Sequence, residues 1–290
     1  MEPVRIGIIG GSGLYRMEGL TDAREHIVET PFGAPSDALL RGKLGGVDVA
    51  FLARHSRHHT LIPSQIPFRA NIYAMKALGV QYLLSVSAVG SMREDIAPLD
   101  MVLPDQFIDF TRKREGSFFG DGAVAHVALA DPVCDALRNV LADSFADAGF
   151  ADVRLHRQGT YVCIEGPAFS TRAESHWYRS LGAAVIGMTN MPEARLAREA
   201  EIAYATLALA TDWDCWHPHQ ACVTAEMAIA NLQGNAQRAQ AVLGHAVRRI
   251  AASWPVSAAH TVLGAALVTP PAAMTEAVRS RLHALIAQFL

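Results

Sequence analysis

The chain has 290 residues, of which 51% are hydrophobic and 18% are charged. Its 25 basic and 28 acidic residues give a net charge of −3, which excludes a strongly basic surface for nucleic acid or for an anionic membrane. Its apolar runs are too short for a membrane span or a signal peptide, and its four cysteines form no C-x-x-C pair. We therefore expect a cytoplasmic protein with reduced thiols and a small-molecule ligand.

Apolar, β-branched runs alternate with helical patterns along most of the chain. In order, the runs are VRIGIIGG, VDVAFLARH, YLLSVSAVGS, MVLPDQFIDF, TYVCIEGP, AAVIGMT and AYATLALATD. Helical patterns cover 67–78, 131–149, 172–182, 192–201, 224–252 and 273–289, and prolines 255, 270 and 271 end regular structure between the last two. The alternation predicts an α/β fold with a central, mostly parallel or mixed sheet flanked by helices. Residues 1–290 are expected to form a single domain that includes the helices from about 224 onward.

The first strand pattern, RIGIIGGSGLY at residues 5–15, leads into a glycine-rich turn. Gly11 and Gly13 match the first two glycines of a dinucleotide-binding fingerprint, but Arg16 occupies the third position and is too large for close helix–strand packing. Backbone N–H groups and the Ser12 hydroxyl would suit a single anion such as phosphate. A tight turn that needs glycine only for its backbone conformation explains this stretch equally well.

Polar side chains also end two later strand patterns. Arg54 and His55 close VDVAFLARH, and Ser87 with Ala88 lies in YLLSVSAVGS. Because the C-terminal ends of neighbouring parallel strands meet at one edge of a sheet, these groups and Ser12 could form a pocket of hydrogen-bond donors for phosphate. The alternative for Arg54 is an ordinary surface arginine.

Two histidine-rich stretches raise the question of a metal ion. ARHSRHHT at residues 53–60 does not have the H-E-x-x-H spacing and has no nearby carboxylate to complete a ligand set. A substrate loop is therefore favoured there. WHPHQAC at residues 216–222 is interpreted as a solvated loop, and no metal site is predicted.

The stretch ATDWDCW places Asp212 and Asp214 after an apolar strand. If the strand continued through Trp213, both carboxylates would point to the same side, and Trp213 and Trp216 would limit access of water. An aspartate partly removed from water has a raised pKa and can donate a proton to a leaving nitrogen. A solvated acidic loop is the alternative.

Taken in chain order, these blocks resemble the trimeric class of purine nucleoside phosphorylases and, within it, the 5′-methylthioadenosine phosphorylases. The matching stretches lie between about residue 4 and residue 216: IGIIGGSGL, TPFGAPSDAL, LARHSRHHTLIPSQIPFRANIYAMKALG, SAVGSMREDIAPLDMVLPDQFIDFT, CIEGPAFSTRAES, GMTNMPEA and ATDWDCW. The resemblance implies a nucleoside phosphorylase-like fold and phosphorolysis of S-methyl-5′-thioadenosine to adenine and 5-methylthioribose 1-phosphate. It also implies inorganic phosphate as co-substrate, no metal or organic cofactor, and a homotrimer or a dimer of trimers.

The resemblance assigns roles to individual residues. Phosphate-contact positions are occupied by Ser12, Arg54, His55, Ser87, Ala88 and Thr189. Positions that line the base and ribose are occupied by Phe169, Ser170 and Met188, and His126 aligns with a histidine that a neighbouring subunit places over the methylthio group. Asp212 and Asp214 match the catalytic pair that reads the purine, with one carboxylate facing N7 and the other helping to hold the 6-amino group.

The substrate and the alternatives follow from the same comparison. Family members that prefer 6-oxopurines carry asparagine at position 212, so Asp212 favours adenine. The second hypothesis is a purine nucleoside or methylthioinosine phosphorylase with broader or 6-oxopurine specificity. The chain stops at AQFL, short of the apolar residue that covers the 5′ group in the family, which leaves open a pocket that admits adenosine. A silent nucleoside-binding protein and an NAD-dependent oxidoreductase are disfavoured by Arg54 with His55 and by Arg16, respectively.

Overall fold

The computed structural model describes residues 3–11, 14, 17, 19–219 and 222–290. Ser12, predicted to bind phosphate, lies outside the described residues. The strands are β1 (Ile6–Gly10), β2 (Leu20–His26), β3 (Leu39–Leu44), β4 (Val47–Ala53), β5 (Tyr82–Ser91), β6 (Met101–Val102), β7 (Gln106–Asp109), β8 (Leu155–His156), β9 (Thr160–Cys163), β10 (Ala183–Gly187) and β11 (Ala203–Asp212). The helices are α1 (Phe68–Ala77), α2 (Asp135–Ala148), α3 (Arg172–Ser180), α4 (Asn190–Glu199), α5 (Ala225–Ser253), α6 (Leu263–Ala266) and α7 (Glu276–Ile286).

Within the described part of the chain, eleven strands join in one mixed sheet. β5 lies at its centre and pairs in parallel with β1 and β11, and its last residues pair antiparallel with β10. β1 also pairs in parallel with β4, whereas β2, β3 and β4 form an antiparallel edge. The predicted α/β fold with a mixed sheet flanked by helices is confirmed.

The apolar pattern of the strands explains why helices cover both faces of the sheet. All five residues of β1 are buried, and its side chains alternate between two cores: Ile8 enters one core and Ile9 enters the other. The core that contains Ile9 also holds apolar residues of α1, α4 and α7, whereas the core with Ile8 holds those of α2 and α5. The sheet is therefore the middle of three layers, and its strand ends are fixed from both sides.

The sequence did not predict β2 and β3. β2 has the sequence LTDAREH and is exposed along most of its length, so it shows no apolar alternation. It is held in the sheet by backbone pairing with β3 instead. Polar side chains of this kind are typical of an edge strand, which must not attract further strands.

Two other expectations needed correction. The single strand predicted for MVLPDQFIDF is two strands, β6 and β7, separated at Pro104, which has no N–H to donate to a ladder. The proline-bounded segment after α5 was expected to lack regular structure, but it contains a 3₁₀ turn at Ala258–Thr261 and the single turn of α6. The Ser257 side chain accepts a hydrogen bond from the Ala259 N–H and so caps that 3₁₀ turn.

Candidate active site

A cavity of about 320 Å³ opens where several strands end. Its walls come from residues at or just after the C-terminal ends of β1, β4, β10 and β11, and from the second half of β5. Parallel strands present their C-terminal ends at one edge of a sheet, which is where ligands bind in open α/β folds. The cavity brings together the following residues singled out from the sequence: Arg54, His55, Ser87, Ala88, Phe169, Met188, Thr189, Asp212 and Asp214.

Arg54 is fully buried and held rigidly at one end of the cavity, which we call the anion end. Its Nε donates to Oε2 of Glu193 at 2.7 Å, and its Nη2 donates to Oε1 of the same carboxylate at 3.0 Å. Its Nη1 donates to the Val86 carbonyl at 2.9 Å. Burial lowers the pKa of Arg54, but the carboxylate of Glu193 outweighs it and the pKa is raised. The guanidinium is therefore charged and has a fixed orientation.

Glu193 was not predicted from the sequence. It lies in the first turn of α4 and is buried, and its Oε1 accepts hydrogen bonds from Ser85 Oγ and Tyr204 Oη, both at 2.8 Å. A glutamate in the pattern PEARLAREAE looks like part of a solvated helix face. Its pairing with Arg54, 139 residues away in the chain, has no local sequence signal.

Hydroxyl groups from three elements meet beside Arg54. Ser87 Oγ of β5 lies 3.1 Å from Thr189 Oγ1 and 3.2 Å from Tyr161 Oη of β9. Burial raises the pKa of Tyr161 to about 12, so its phenol remains a neutral hydroxyl. Gly11 keeps the adjacent space open, since a Cβ at that position would lie 3.0 Å from Arg54 Nη1. This end of the cavity is a cluster of donors around a fixed cation, as a tetrahedral oxyanion requires.

His55 lines the same end of the cavity and is buried. Its Nδ1 lies 2.9 Å from the Leu61 carbonyl oxygen, and its ring stacks on His59 with 4.5 Å between the centroids. Burial lowers the pKa of His55 to about 4, even though the Leu61 carbonyl raises it. The imidazole is therefore neutral, with one ring nitrogen that donates a hydrogen bond and one that accepts.

Asp212 and Asp214 lie at the other end of the cavity, which we call the purine end because the resemblance assigns the purine to these two residues. Asp212 Oδ1 accepts a hydrogen bond from the Asp214 backbone N–H at 2.8 Å, and its Oδ2 accepts one from Thr211 Oγ1 at 2.7 Å. Burial raises the pKa of Asp212 to about 6 and also raises the pKa of Asp214. A carboxyl group with such a pKa can hold or release a proton near neutral pH.

The local geometry of this pair differs from the prediction. β11 ends at Asp212, and Asp214 has a φ of +52°, so a turn rather than a continued strand brings the two carboxylates together. Neither Trp213 nor Trp216 is among the residues that line the cavity. Trp216 is buried behind it, where its Nε1 donates to the Ser91 carbonyl at 2.7 Å.

The apolar wall of the cavity comes partly from the start of α5. Ala225, Ala228, Ile229 and Leu232 line it at the i, i+3, i+4, i+7 spacing of a single helix face. The Thr224 hydroxyl accepts a hydrogen bond from the Met227 N–H at 3.2 Å and caps the helix. The sequence predicted this helix, and its apolar spacing could have revealed the lining face.

Arg114 fixes the turn that carries Met188 and Thr189, and it was also missed. Its Nη1 donates to the carbonyls of Met188 and Met191, both at 2.7 Å, and its Nη2 donates to the Glu165 carbonyl at 2.8 Å. One side chain thus joins the segments after β9 and β10, both of which contribute to the cavity.

Two residues assigned to the nucleoside do not line the cavity of the single chain. The Ser170 carbonyl accepts a hydrogen bond from Cys215 Sγ at 3.4 Å, behind the lining residues. His126 is exposed, and its backbone N–H donates to the Ala266 carbonyl. A role for His126 over the substrate, as the resemblance implies, would have to be played in a neighbouring subunit.

The described residues contain no group of three or more His, Cys, Asp or Glu side chains arranged to hold a metal ion. Over the same residues, no helix is long and apolar enough to cross a membrane. The candidate site is the cavity, with the donor cluster at one end and the carboxylate pair at the other.

Comparisons with known proteins match most or nearly all of this chain. A family model described as the phosphorylase superfamily matches residues 5–248. An S-methyl-5′-thioadenosine phosphorylase of Thermosynechococcus vestitus is 63% identical over 286 residues, covering 99% of each chain. The crystal structure of a methylthioadenosine phosphorylase from an antarctic soil metagenomic library is 58% identical, with a TM-score of 0.94 over 98% of this chain and 99% of that one. A methylthioadenosine phosphorylase from Schistosoma mansoni, in complex with adenine, is 33% identical with a TM-score of 0.85 over 91% of this chain and 99% of that one.

Proposed function

The chain belongs to the phosphorylase superfamily, and from that premise we propose that it catalyses phosphorolysis of S-methyl-5′-thioadenosine to adenine and 5-methylthioribose 1-phosphate. The observation that carries this proposal is the opposite chemistry of the two cavity ends. Hydroxyl groups surround the guanidinium of Arg54 at the anion end, whereas two carboxyl groups with raised pKa values occupy the purine end. The reaction needs an anion on one side of the ribose and a proton donor on the other.

The proposed reaction uses both ends in one step. A phosphate oxygen forms a bond to C1′ as the bond from C1′ to N9 of the purine breaks, and the bonding electron pair leaves with the base. Positive charge develops on the ribosyl ring and is stabilised by the phosphate, while negative charge on the purine is relieved by a proton from Asp212 to N7. The pKa of Asp212, about 6, allows the carboxyl to carry that proton near neutral pH.

Selectivity for adenine follows from the same two side chains. A carboxylate oxygen accepts a hydrogen bond from the 6-amino group, but it repels the carbonyl oxygen of a 6-oxopurine unless it is protonated. The apolar face of α5, with Ile229 and Leu232, offers a surface suited to a methylthio group rather than to a charged or strongly polar 5′ substituent.

The remaining features of the enzyme are proposals of the same kind. We propose that inorganic phosphate is the co-substrate and that no metal or organic cofactor takes part, because charge development at both ends of the cavity is met by protein side chains and phosphate. We also propose a cytoplasmic enzyme that acts in methionine and purine salvage as a homotrimer, with His126 reaching the site of a neighbouring subunit. Sedimentation equilibrium tests the trimer, and a monomeric active enzyme would contradict it.

The most direct test measures release of the free base from four nucleosides, with and without phosphate. Methylthioadenosine, methylthioinosine, adenosine and inosine differ only at the 6 position and at the 5′ group. We expect release that depends on phosphate and is fastest for methylthioadenosine, together with formation of 5-methylthioribose 1-phosphate. Release that does not require phosphate would indicate a hydrolase and contradict the proposal.

A further inference from the structure

We propose that His55 accepts a hydrogen bond, through Nε2, from a proton carried by the bound phosphate, so that the site prefers tetrahedral anions that bring a proton with them. This inference rests on the proposed function, which places phosphate at the anion end of the cavity. It assigns His55 a specificity role that is opposite to the donor role suggested by its sequence context.

The geometry of the ring determines which nitrogen is available. A carbonyl oxygen can only accept a hydrogen bond, so the 2.9 Å contact between Nδ1 and the Leu61 carbonyl places a hydrogen on Nδ1. In the neutral ring Nε2 then carries a lone pair and no hydrogen. His55 lines the cavity, and with Nδ1 committed to Leu61, Nε2 is the ring nitrogen that remains for a ligand.

The surrounding turn holds the ring in this orientation. The backbone N–H groups of Thr60 and Leu61 donate to the His55 carbonyl at 3.1 and 3.4 Å, which folds the chain back over the ring. His59 stacks on the ring with 6° between the planes. Flipping the imidazole would place a C–H group against the Leu61 carbonyl and forfeit the Nδ1 hydrogen bond.

The charges that face His55 favour the neutral ring. Arg54, on the same strand end, His59, in the following turn, and Arg114, from the segment after β7, all lower its pKa, in addition to the larger effect of burial. The carboxylates that line the cavity are Asp212 and Asp214, at the purine end. Glu193 is engaged in its pair with Arg54.

Phosphate and sulfate distinguish a donor from an acceptor at this position. Both are tetrahedral and can carry two negative charges, but at neutral pH phosphate retains at least one proton and sulfate retains none. Phosphate can therefore donate to Nε2 directly. Sulfate has no proton, so it would place an oxygen lone pair against the Nε2 lone pair unless the ring takes a proton from solvent. Protonation of the ring becomes about tenfold less favourable for each pH unit above its pKa.

The experiment measures sulfate as a competitive inhibitor of phosphorolysis by the wild-type enzyme, from about pH 8 to about pH 9.5, at constant ionic strength with chloride. The quantity of interest is the inhibition constant of sulfate divided by the KM of phosphate. We expect this ratio to rise about tenfold for each pH unit, because phosphate remains monoprotonated over this range whereas sulfate binding requires proton uptake. A ratio that does not change with pH would overturn the proposal. If sulfate inhibits the wild-type enzyme too weakly to measure, the proposal requires that it inhibit the His55→Gln variant, and failure there too would overturn the proposal.

Two variants assign the effect to His55. In His55→Gln the side-chain amide can present an N–H to either anion and does not titrate, so the ratio should fall by at least about tenfold near pH 8 and lose its pH dependence. His58→Gln, a histidine three residues away that is exposed, should keep the wild-type ratio and slope. A His55→Gln enzyme that retains the wild-type slope would show that another group carries the proton. Adenine release that does not depend on phosphate would instead contradict the proposed function, which separates the two failures.

Discussion

The anion end and the purine end of the cavity differ in how their buried charges are compensated. At the anion end the guanidinium of Arg54 is matched by the carboxylate of Glu193, and both side chains are at most 1% exposed. At the purine end the carboxylate of Asp212 is held by a hydroxyl and a backbone N–H, with the carboxylate of Asp214 next to it. The first arrangement fixes charge in place, whereas the second makes charge unfavourable and so retains a proton.

This difference matches two tasks that the proposed reaction requires of the cavity. Binding an oxyanion requires donors that do not reorganise, and a buried arginine held in place by its carboxylate partner meets that need. Protonating a leaving base requires a group whose charged and neutral forms are close in free energy, and a buried carboxyl without a cationic partner meets that one. Each of the following predictions disturbs one end and leaves the other intact.

The largest expected effect is on stability, from removing one partner of the buried pair. Glu193→Ala or Arg54→Ala leaves an uncompensated buried charge, so each should lower the free energy of unfolding by about 3 to 5 kcal/mol. The double variant should lose less than the sum of the two, because neither charge is then left alone. Urea denaturation of the four proteins measures this coupling.

The exposed ion pair of Arg93 and Asp95 provides the matched control. Its side chains are 46% and 53% exposed, so the same double-mutant cycle should give a coupling of no more than about 1 kcal/mol. Equal coupling in the two cycles would remove the distinction between a buried, fixed pair and a surface pair.

At the purine end, Asp212→Asn should lower kcat for methylthioadenosine by about 10²- to 10⁴-fold, since the amide cannot donate a proton to N7 as a carboxyl does. Methylthioinosine should lose less, because the amide N–H can donate to a 6-oxo group. Asp143→Asn, an exposed aspartate on α2, serves as the control and should behave as wild type. An unchanged ratio of the two substrates would mean that Asp212 does not read the 6 position.

The smallest predicted effect is a pH dependence of stability. The pKa of Asp212 is about 6 in the folded protein and about 3.8 in an unfolded chain, so between these values the unfolded state is ionised while the folded state keeps its proton. Stability from this residue is therefore lost as the pH rises from about 4 to about 6. Asp212→Asn should gain about 2 kcal/mol relative to wild type between about pH 4 and about pH 7. Urea titrations at both pH values measure it, and a constant difference would mean that Asp212 titrates normally.

The parts of the site that sequence could predict are those with a local signal. Arg54 and His55 directly follow a strand that its apolar run identifies, Ser87 lies in the second half of another, and Asp212 is the last residue of a strand of ten buried residues. The topology of neighbouring parallel strands then brings these ends together without further information.

The parts that were missed depend on contacts between distant segments or on backbone conformation. Glu193 looks like a surface residue until Arg54 is placed against it, and Arg114 acts on carbonyl groups about fifty and about seventy residues further along the chain. The left-handed conformation of Asp214 is unusual for a residue other than glycine and could not be inferred from alternation. The position of the hydrogen on the His55 ring likewise depends on one carbonyl in a turn.

The central strand β5 runs from one end of the cavity to the other, because Ser87 and Ala88 line the anion end and Gly90 lies beside Asp212 at the purine end. A strand advances about 3.3 Å for each residue, so the three steps from Ser87 to Gly90 correspond to about 10 Å. This strand thus sets the spacing between the residues of the anion end and those of the purine end. Adding or deleting one residue between Ser87 and Gly90 would change this spacing by about a third. It would also turn the following side chains to the opposite face of the sheet, so this short stretch tolerates a change in length poorly.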